Sequence, residues 1–411
     1  MKILLLTTYP HGGAGTACRR LQKALQTENN TVDMLTSEHL NHPWPFYAER
    51  LSFLPFERDK SVRFSFSPAN FGHNLTQHPL VQNADILHLH WINQGFLSLE
   101  NIRQLAQLNK PILWTLHDMW AFTGGCHYSG ECLHYQQSCG GCPLLRRPGA
   151  KDFSHRIWNR KKNAFPDNIQ IVTCSQWLAS LAQSSSLLGK FSILPIPNPI
   201  DVDVFKPLTN DERLSFRKKI GVANNTLLLL FVAMKVGDAR KGFEYLLEAL
   251  LLLKASHPTL AVEVLVMGKS NPDDLARLPY PFHPMGMIKD AGQIASVYAI
   301  ADTFVIPSLE DNLPNTVMES IACGTPVVGF NTGGIPEMVE HQREGYLAPQ
   351  RDSAELAKGI YWINHGTTPV EQLREAARQK ALKHYANPVV ASQYLELYQN
   401  MLTAQAEQQK Y

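Results

Sequence analysis

Short apolar runs separated by amphipathic stretches recur along the whole chain. In the first half, "KILLLTTYP", "ADILHLHW", "PILWTLHD" and "IQIVTCS" are apolar runs bounded by polar or turn residues, which predicts buried strands. Stretches such as "AGTACRRLQKALQTE" between them space their apolar residues for a helix. The second half repeats the theme, with strands in "NTLLLLFVA", "AVEVLVMGK", "DTFVIPS" and "TPVVGFN" and helices in "KGFEYLLEALLLLKASH" and "NTVMESIACG". Strand and helix in alternation imply parallel sheets joined by crossover helices.

Between the halves, "ILPIPNPIDVDVFKPL" is rich in proline and lacks helical periodicity, so it predicts a linker near residue 200. After Pro388 a last helix carries Val390, Tyr394, Leu397 and Met401 on one stripe, which needs a partner surface. The expected architecture is therefore α/β, with two Rossmann-like, doubly wound domains facing a central cleft. The first spans residues 1–200, including a cysteine-rich loop at 124–143; the second spans 201–388; a helix over 389–411 crosses back to the first. Ligands of such sheets bind at the carboxyl ends of the strands.

Composition narrows the class. With 411 residues, 44% hydrophobic and 18% charged, the chain has the make-up of a globular protein and is too long for one core. The apolar start breaks at Pro10 and reads as a buried strand, not a leader, and no later run approaches the roughly 20 apolar residues of a membrane span. The expected location is cytoplasmic, a reducing compartment. The net charge of +2 hides a basic first half, where Arg146, Arg147, Lys151, Arg156, Arg160, Lys161 and Lys162 crowd together. A solvated helix face explains them; so does contact with a phosphorylated acceptor or with an anionic membrane at its inner face, to which the aromatic-rich residues 44–71 would add. Near-neutral charge overall and an acidic second half argue against a nucleic-acid partner.

Three stretches carry candidate chemistry. In "HGGAGTACRRL", Gly12, Gly13 and Gly15 precede a helix, where backbone can approach an anionic ligand, although the spacing is not the dinucleotide fingerprint. In "VAMKVGDARKGFEYLLEAL", Lys235 and Lys241 fall on the loop between a strand and a helix, where two cations could clamp a diphosphate. In "IPSLEDNLPNTVMESIACG", Glu310 and Asp311 close a strand, Asn312 and Leu313 form a loop, and a helix from about Asn315 carries Glu319. The amides of Asn315 and Thr316 would meet phosphate or sugar oxygens, and carboxylates there would hold hydroxyls.

Asp311 and Glu319 lie eight positions apart. With the glycine loop, the "TLHD" strand end and the lysine pair, this arrangement resembles the retaining glycosyltransferases of the GT-B fold, glycosyltransferase family 4, over essentially the whole chain. The resemblance implies transfer from a nucleoside-diphosphate sugar, UDP- or GDP-linked, to a glycan or lipid-linked oligosaccharide in bacterial cell-surface glycan biosynthesis. It implies that Lys235 and Lys241 bind the diphosphate, that Asp311 and His117 contact the donor sugar, and that Glu319 holds the ribose. Gly286 and Met287 would hold the base by backbone contacts, and no cofactor would be required for catalysis. The chain departs from the common pattern at Asp311, usually glutamate, at Lys235, usually arginine, and at Pro314, often glycine. A nucleotide-sugar epimerase or a non-catalytic sugar-nucleotide binder of the same fold is the alternative.

Four of the seven cysteines, Cys126, Cys132, Cys139 and Cys142, fall in "GGCHYSGECLHYQQSCGGCP". Only the last pair has a zinc-knuckle spacing, so a structural zinc and reduced or paired thiols both remain open readings. Neither makes the loop the catalytic centre, because four sulfur ligands leave no open position. His88 and His90 alternate on one strand and read as packed core residues more than as a metal pair. Cys18, Cys174 and Cys323 read as small buried side chains.

Overall fold

The computed structural model describes residues 1–26 and 29–408 and divides into two compact units: residues 1–198 with the chain from Val390 onward, and Pro199–Val389. Each is built on one six-stranded, all-parallel sheet.

In the first unit the strands are β1 (Lys2–Leu6), β2 (Thr31–Leu35), β3 (Ile86–Leu89), β4 (Ile112–Leu116), β5 (Gln170–Thr173) and β6 (Ile193–Pro195), in the spatial order 2-1-3-4-5-6. Every residue of β3 and β4 is buried, as expected of strands covered on both faces. One face packs Leu4, Leu87, Trp114 and Ile171 into the larger core. The other packs Ile3, Leu5, Ile86 and Val172 against Val390, Tyr394 and Tyr398 of the helix Asn387–Gln408. Burying each large apolar side chain of that helix contributes about 1.5–3 kcal/mol. Its two tyrosine hydroxyls are satisfied inside: Tyr398 bonds His88 Nδ1 at 2.7 Å, and Tyr394 bonds Thr115 Oγ1 at 3.0 Å.

The second unit has β7 (Leu227–Lys235), β8 (Val262–Lys269), β9 (Phe282–Gly286), β10 (Thr303–Ile306), β11 (Val327–Phe330) and β12 (Gly345–Ala348), in the order 12-11-10-7-8-9. The helix Phe243–Ser256 buries Phe243, Leu246, Leu250 and Leu253 against Leu229, Phe231 and Val264 of this sheet.

Both sheets reverse their winding once. The reversal falls between β1 and β3 in the first unit and between β7 and β10 in the second. At such a point the loops leaving adjacent strands diverge and open a crevice at the carboxyl ends. The proline-rich stretch around residue 200 differs from its expected form: it opens with β6, which pairs with β5 through Ile193, Leu194 and Pro195. Among the described residues no helix is long and apolar enough to cross a membrane.

Candidate active site

In the second unit the loops leaving β7 and β10 bring three charged side chains together. The buried Asp311 receives Lys241 Nζ on Oδ2 at 2.7 Å and Arg240 on Oδ1 at 3.2 Å. Arg240 also donates to the Glu310 carbonyl at 2.7 Å, and its own carbonyl accepts from Leu309 N at 2.9 Å, so the two loops are stitched by backbone as well as charge. Burial alone pushes the Asp311 carboxyl up, but Lys241 and Arg240 outweigh it and hold the group below the ordinary carboxylate range. Two glycines permit this closeness. Gly242 has φ +72°, and a Cβ there would lie 1.8 Å from the Pro307 carbonyl oxygen; Gly333 has φ +59°, and a Cβ would lie 1.8 Å from that of Asp311.

The loop beyond Asp311 is also buried at Asn312 and Leu313, and the helix Asn315–Ala322 follows Pro314 with no side-chain cap. Asn315 and Thr316 form its half-buried first turn, and Glu319, 8% exposed, lies one turn further on. Lys235 is the exposed last residue of β7 instead of a loop residue, and among the described residues no ion pair joins it to Asp311. Gly286 ends β9 with φ +62°, followed by the exposed Met287. Arg240 is the member the sequence reading overlooked; its only signal was a second cation beside Lys241 before a glycine.

In the first unit Gly12, Gly13 and Gly15 open the helix Gly12–Leu25 directly after β1. His117 follows β4. Its Nε2 meets His90 Nδ1 at 3.0 Å and its Nδ1 meets Cys174 Sγ at 3.4 Å. Burial lowers the His117 pKa to about 4 and depresses His88 and His90 as well, so these imidazoles are neutral at pH 7 and can share hydrogen bonds without repulsion. His90 and Cys174 are thus packed residues, as the sequence suggested, that also hold His117.

The next residue, Asp118, anchors the start of the cysteine-rich loop. Its Oδ2 accepts from Trp91 Nε1 at 2.8 Å and meets His127 Nδ1 at 2.7 Å, while Oδ1 accepts from Trp120 N at 2.8 Å. Burial would raise this carboxyl, but His127 leads the effects that hold it below the usual range. His127 Nε2 contacts Ser67 Oγ at 2.9 Å. Nothing in the sequence pattern marked His127, which sits in the loop between cysteines.

The seven cysteines are free thiols, and among the described residues no group of three or more histidine, cysteine, aspartate or glutamate side chains is placed to hold a metal ion. Burial pushes Cys126, Cys139 and Cys142 up to about 12, so they are protonated at neutral pH. Asp152 fixes the loop to the helix Phe153–Ala164: it caps Ser154 N at 2.9 Å and accepts from Cys142 N at 2.9 Å. Buried Lys161 donates to the Thr123 carbonyl at 3.0 Å and lies 3.6 Å from the Trp120 ring centroid.

Comparison with known proteins agrees with this layout. A model described as Glycosyltransferase Family 4 matches residues 11–204, and one described as Glycosyl transferases group 1 matches residues 226–364. The putative colanic acid biosynthesis glycosyl transferase WcaC of Escherichia coli is 24% identical over 345 residues, covering 79% of this chain and 78% of its own. The N-acetyl-alpha-D-glucosaminyl L-malate synthase of Bacillus anthracis is 22% identical over 417 residues, covering 97% and 96%. Among solved structures, sucrose-phosphate synthase from Thermosynechococcus elongatus superposes with a TM-score of 0.67 at 20% identity, over 98% of this chain and 100% of that one. Anabaena HepE in complex with UDP gives 0.64 at 17% identity, over 97% and 100%. The chain belongs to glycosyltransferase family 4 and has the GT-B fold.

Proposed function

We propose that this glycosyltransferase moves a sugar from a UDP- or GDP-linked donor to a glycan or lipid-linked acceptor, with retention of anomeric configuration, in the synthesis of a cell-surface polysaccharide. The observation that carries the reading is the Arg240–Lys241–Asp311 cluster at the point where the second sheet reverses. As the anomeric C–O bond breaks, negative charge grows on the departing diphosphate. Lys235 and Lys241 meet that charge, with Arg240 beside them. Asp311 keeps Arg240 and Lys241 side by side before the donor arrives, so little reorganisation is left for the moment of reaction. These cations supply the countercharge, so the step needs no metal.

The first turn of the helix Asn315–Ala322 adds amides to the phosphate or sugar oxygens, and Glu319 accepts from the ribose hydroxyls. Asn312 and Leu313 shape the loop around the sugar, and backbone at Gly286 and Met287 holds the base. Gly12, Gly13 and Gly15 let backbone approach the donor. His117, neutral at pH 7, offers an imidazole suited to a sugar hydroxyl and not to an anion. The UDP bound to HepE and the colanic acid context of WcaC support the donor class and the polysaccharide context.

The test is to incubate the protein with UDP- and GDP-sugars, with and without lipid-linked oligosaccharide, and follow the anomeric proton by NMR. Acceptor-dependent product with the donor's anomeric configuration is expected. Conversion of the donor sugar without acceptor would instead identify an epimerase.

A further inference from the structure

The helix Trp44–Phe53 is apolar on two opposite sides. Its inner side buries Pro45, Glu49 and Phe53. Phe53 stacks on Phe66 with ring centroids 4.7 Å apart, and the Glu49 carboxylate accepts from the backbone amides of Ala69, Asn70 and Phe71 at 2.6, 2.8 and 3.1 Å. The helix is therefore fixed to the first unit. Its outer side carries Trp44, Tyr47, Leu51 and Leu54, spaced three, four and three residues apart, at 58, 60, 65 and 44% exposure. That spacing places them on one stripe. Phe64, 62% exposed, lies on the loop that follows.

The rim of this stripe is basic. Arg58 and Lys60 are exposed just beyond Leu54. Segment 144–147 runs antiparallel beside residues 56–58, through Arg58 N to the Leu144 carbonyl at 3.1 Å and Arg146 N to the Phe56 carbonyl at 2.9 Å. This brings in Arg146 and Arg147, both exposed, and the Arg156 guanidinium lies 5.3 Å from the Phe56 ring centroid. Of the acidic groups here, Glu57 is buried between Arg50 and Arg63, and Asp59 pairs with Arg58.

We propose that Trp44, Tyr47, Leu51, Leu54 and Phe64 form a docking face that inserts shallowly into an anionic lipid surface, with Arg58, Lys60, Arg146, Arg147 and Arg156 on the headgroups. Aromatic and aliphatic side chains on one side of a fixed helix, ringed by cations, match a bilayer interface. A two-fold contact between copies through this face would set the same cations against each other, which disfavours a second copy as the occupant.

The face adjoins the reversal point of the first sheet. A Cβ on Gly95 would lie 2.5 Å from Phe46 N, and the neighbouring Gln94 bonds the Tyr9 hydroxyl at 3.1 Å on the segment leaving β1. Docking would therefore hold the carboxyl ends of β1 and β3 near the membrane, where a lipid-linked acceptor resides. Binding itself does not depend on the chain's transferring sugar.

Flotation with vesicles of phosphatidylcholine, alone or with about 30 mol % phosphatidylglycerol, tests the face directly. The full chain is expected to bind the anionic vesicles at least about tenfold more tightly, and to release them as salt rises. The double variant Leu51→Ser, Leu54→Ser should lose binding about tenfold or more while melting like wild type, because both side chains are exposed. Arg146→Glu with Arg147→Glu should weaken binding and flatten its salt dependence. No vesicle binding at low salt, or binding that both variants leave unchanged, would overturn the proposal. So would a concentration-dependent dimer that Leu51→Ser, Leu54→Ser abolishes, since the face would then be covered by a second copy.

Discussion

Lys241 and Asp311, 70 residues apart in sequence, meet at 2.7 Å where the second sheet changes its direction of winding. The aspartate is nearly inaccessible, so its charge is tolerable only because two cations share it. The proposed function gives the same two cations a second partner, the donor diphosphate.

Lys241→Ala removes one of these cations and leaves Arg240 to serve both the carboxylate and the ligand. Turnover should fall on the order of 100-fold or more, measured as initial rates with saturating donor. Lys235→Ala should weaken nucleotide binding while leaving the melting temperature unchanged, because the side chain is exposed at a strand end.

Asp311→Asn tests the electrostatic account through pH. The folded-state pKa lies below the unfolded value, so the ionised group contributes stability above about pH 4 that is lost as pH falls through the lower folded value. Urea unfolding at pH 7 should show the variant weaker by about 3 kcal/mol. Below pH 4 the difference should shrink as the wild-type carboxylate protonates.

His117 titrates in the same direction as Asp311 but through a different form, since here burial favours the neutral group. Its folded pKa of about 4 lies below the free value near 6.5, so its neutral form contributes stability above pH 6.5, and that is lost as pH falls toward 4. His117→Asn should flatten the stability profile between pH 6.5 and 4 and lower turnover. The wild-type rate profile should show no ionisation of this group near pH 6.5, since it is already neutral there.

Tyr398→Phe deletes one hydroxyl and leaves His88 Nδ1 buried with its 2.7 Å partner removed. A loss of about 1–3 kcal/mol is expected, read by denaturant unfolding. Tyr394→Phe should cost less, because Thr115 Oγ1 keeps its 2.8 Å contact with His88 Nε2.

What the chain revealed in advance follows from burial. The eight strands read from apolar runs are the interior strands of the two sheets, covered on both faces and therefore written mostly in apolar residues. The four that escaped, β2, β6, β9 and β12, are the four sheet edges. "TVDML", "ILP" and "FHPMG" expose residues to solvent and mix polar or proline positions into their short runs, and "GYLA" opens on a glycine and holds a single leucine with no β-branched residue. The helix stripe at Val390, Tyr394 and Leu397 was legible because a helix must bury one face.

At the candidate site, Asp311, Glu319 and Lys241 could be picked out from sequence through their joint pattern, two carboxylates eight positions apart and a cation just before a helix. Arg240 was hidden in the same dipeptide as Lys241. Only topology, which lays the loop after β7 beside the loop after β10, reveals that both cations reach one carboxylate. Asp118 and His127 could not be paired from sequence for a similar reason: their contact depends on how an irregular loop folds back on its own start.

Nucleotide binding is the most direct test of the central claim, that the Arg240–Lys241–Asp311 cluster is the diphosphate site of a sugar-nucleotide donor. Melting temperatures of wild type and Lys241→Ala should be compared with UDP and with GDP. A nucleotide at 100 times its Kd adds about 2.7 kcal/mol, enough for a clear upward shift. The account predicts a shift for wild type with one nucleotide and its near-complete loss in Lys241→Ala. No shift with either nucleotide at millimolar concentration, or an equal shift in the variant, would contradict it.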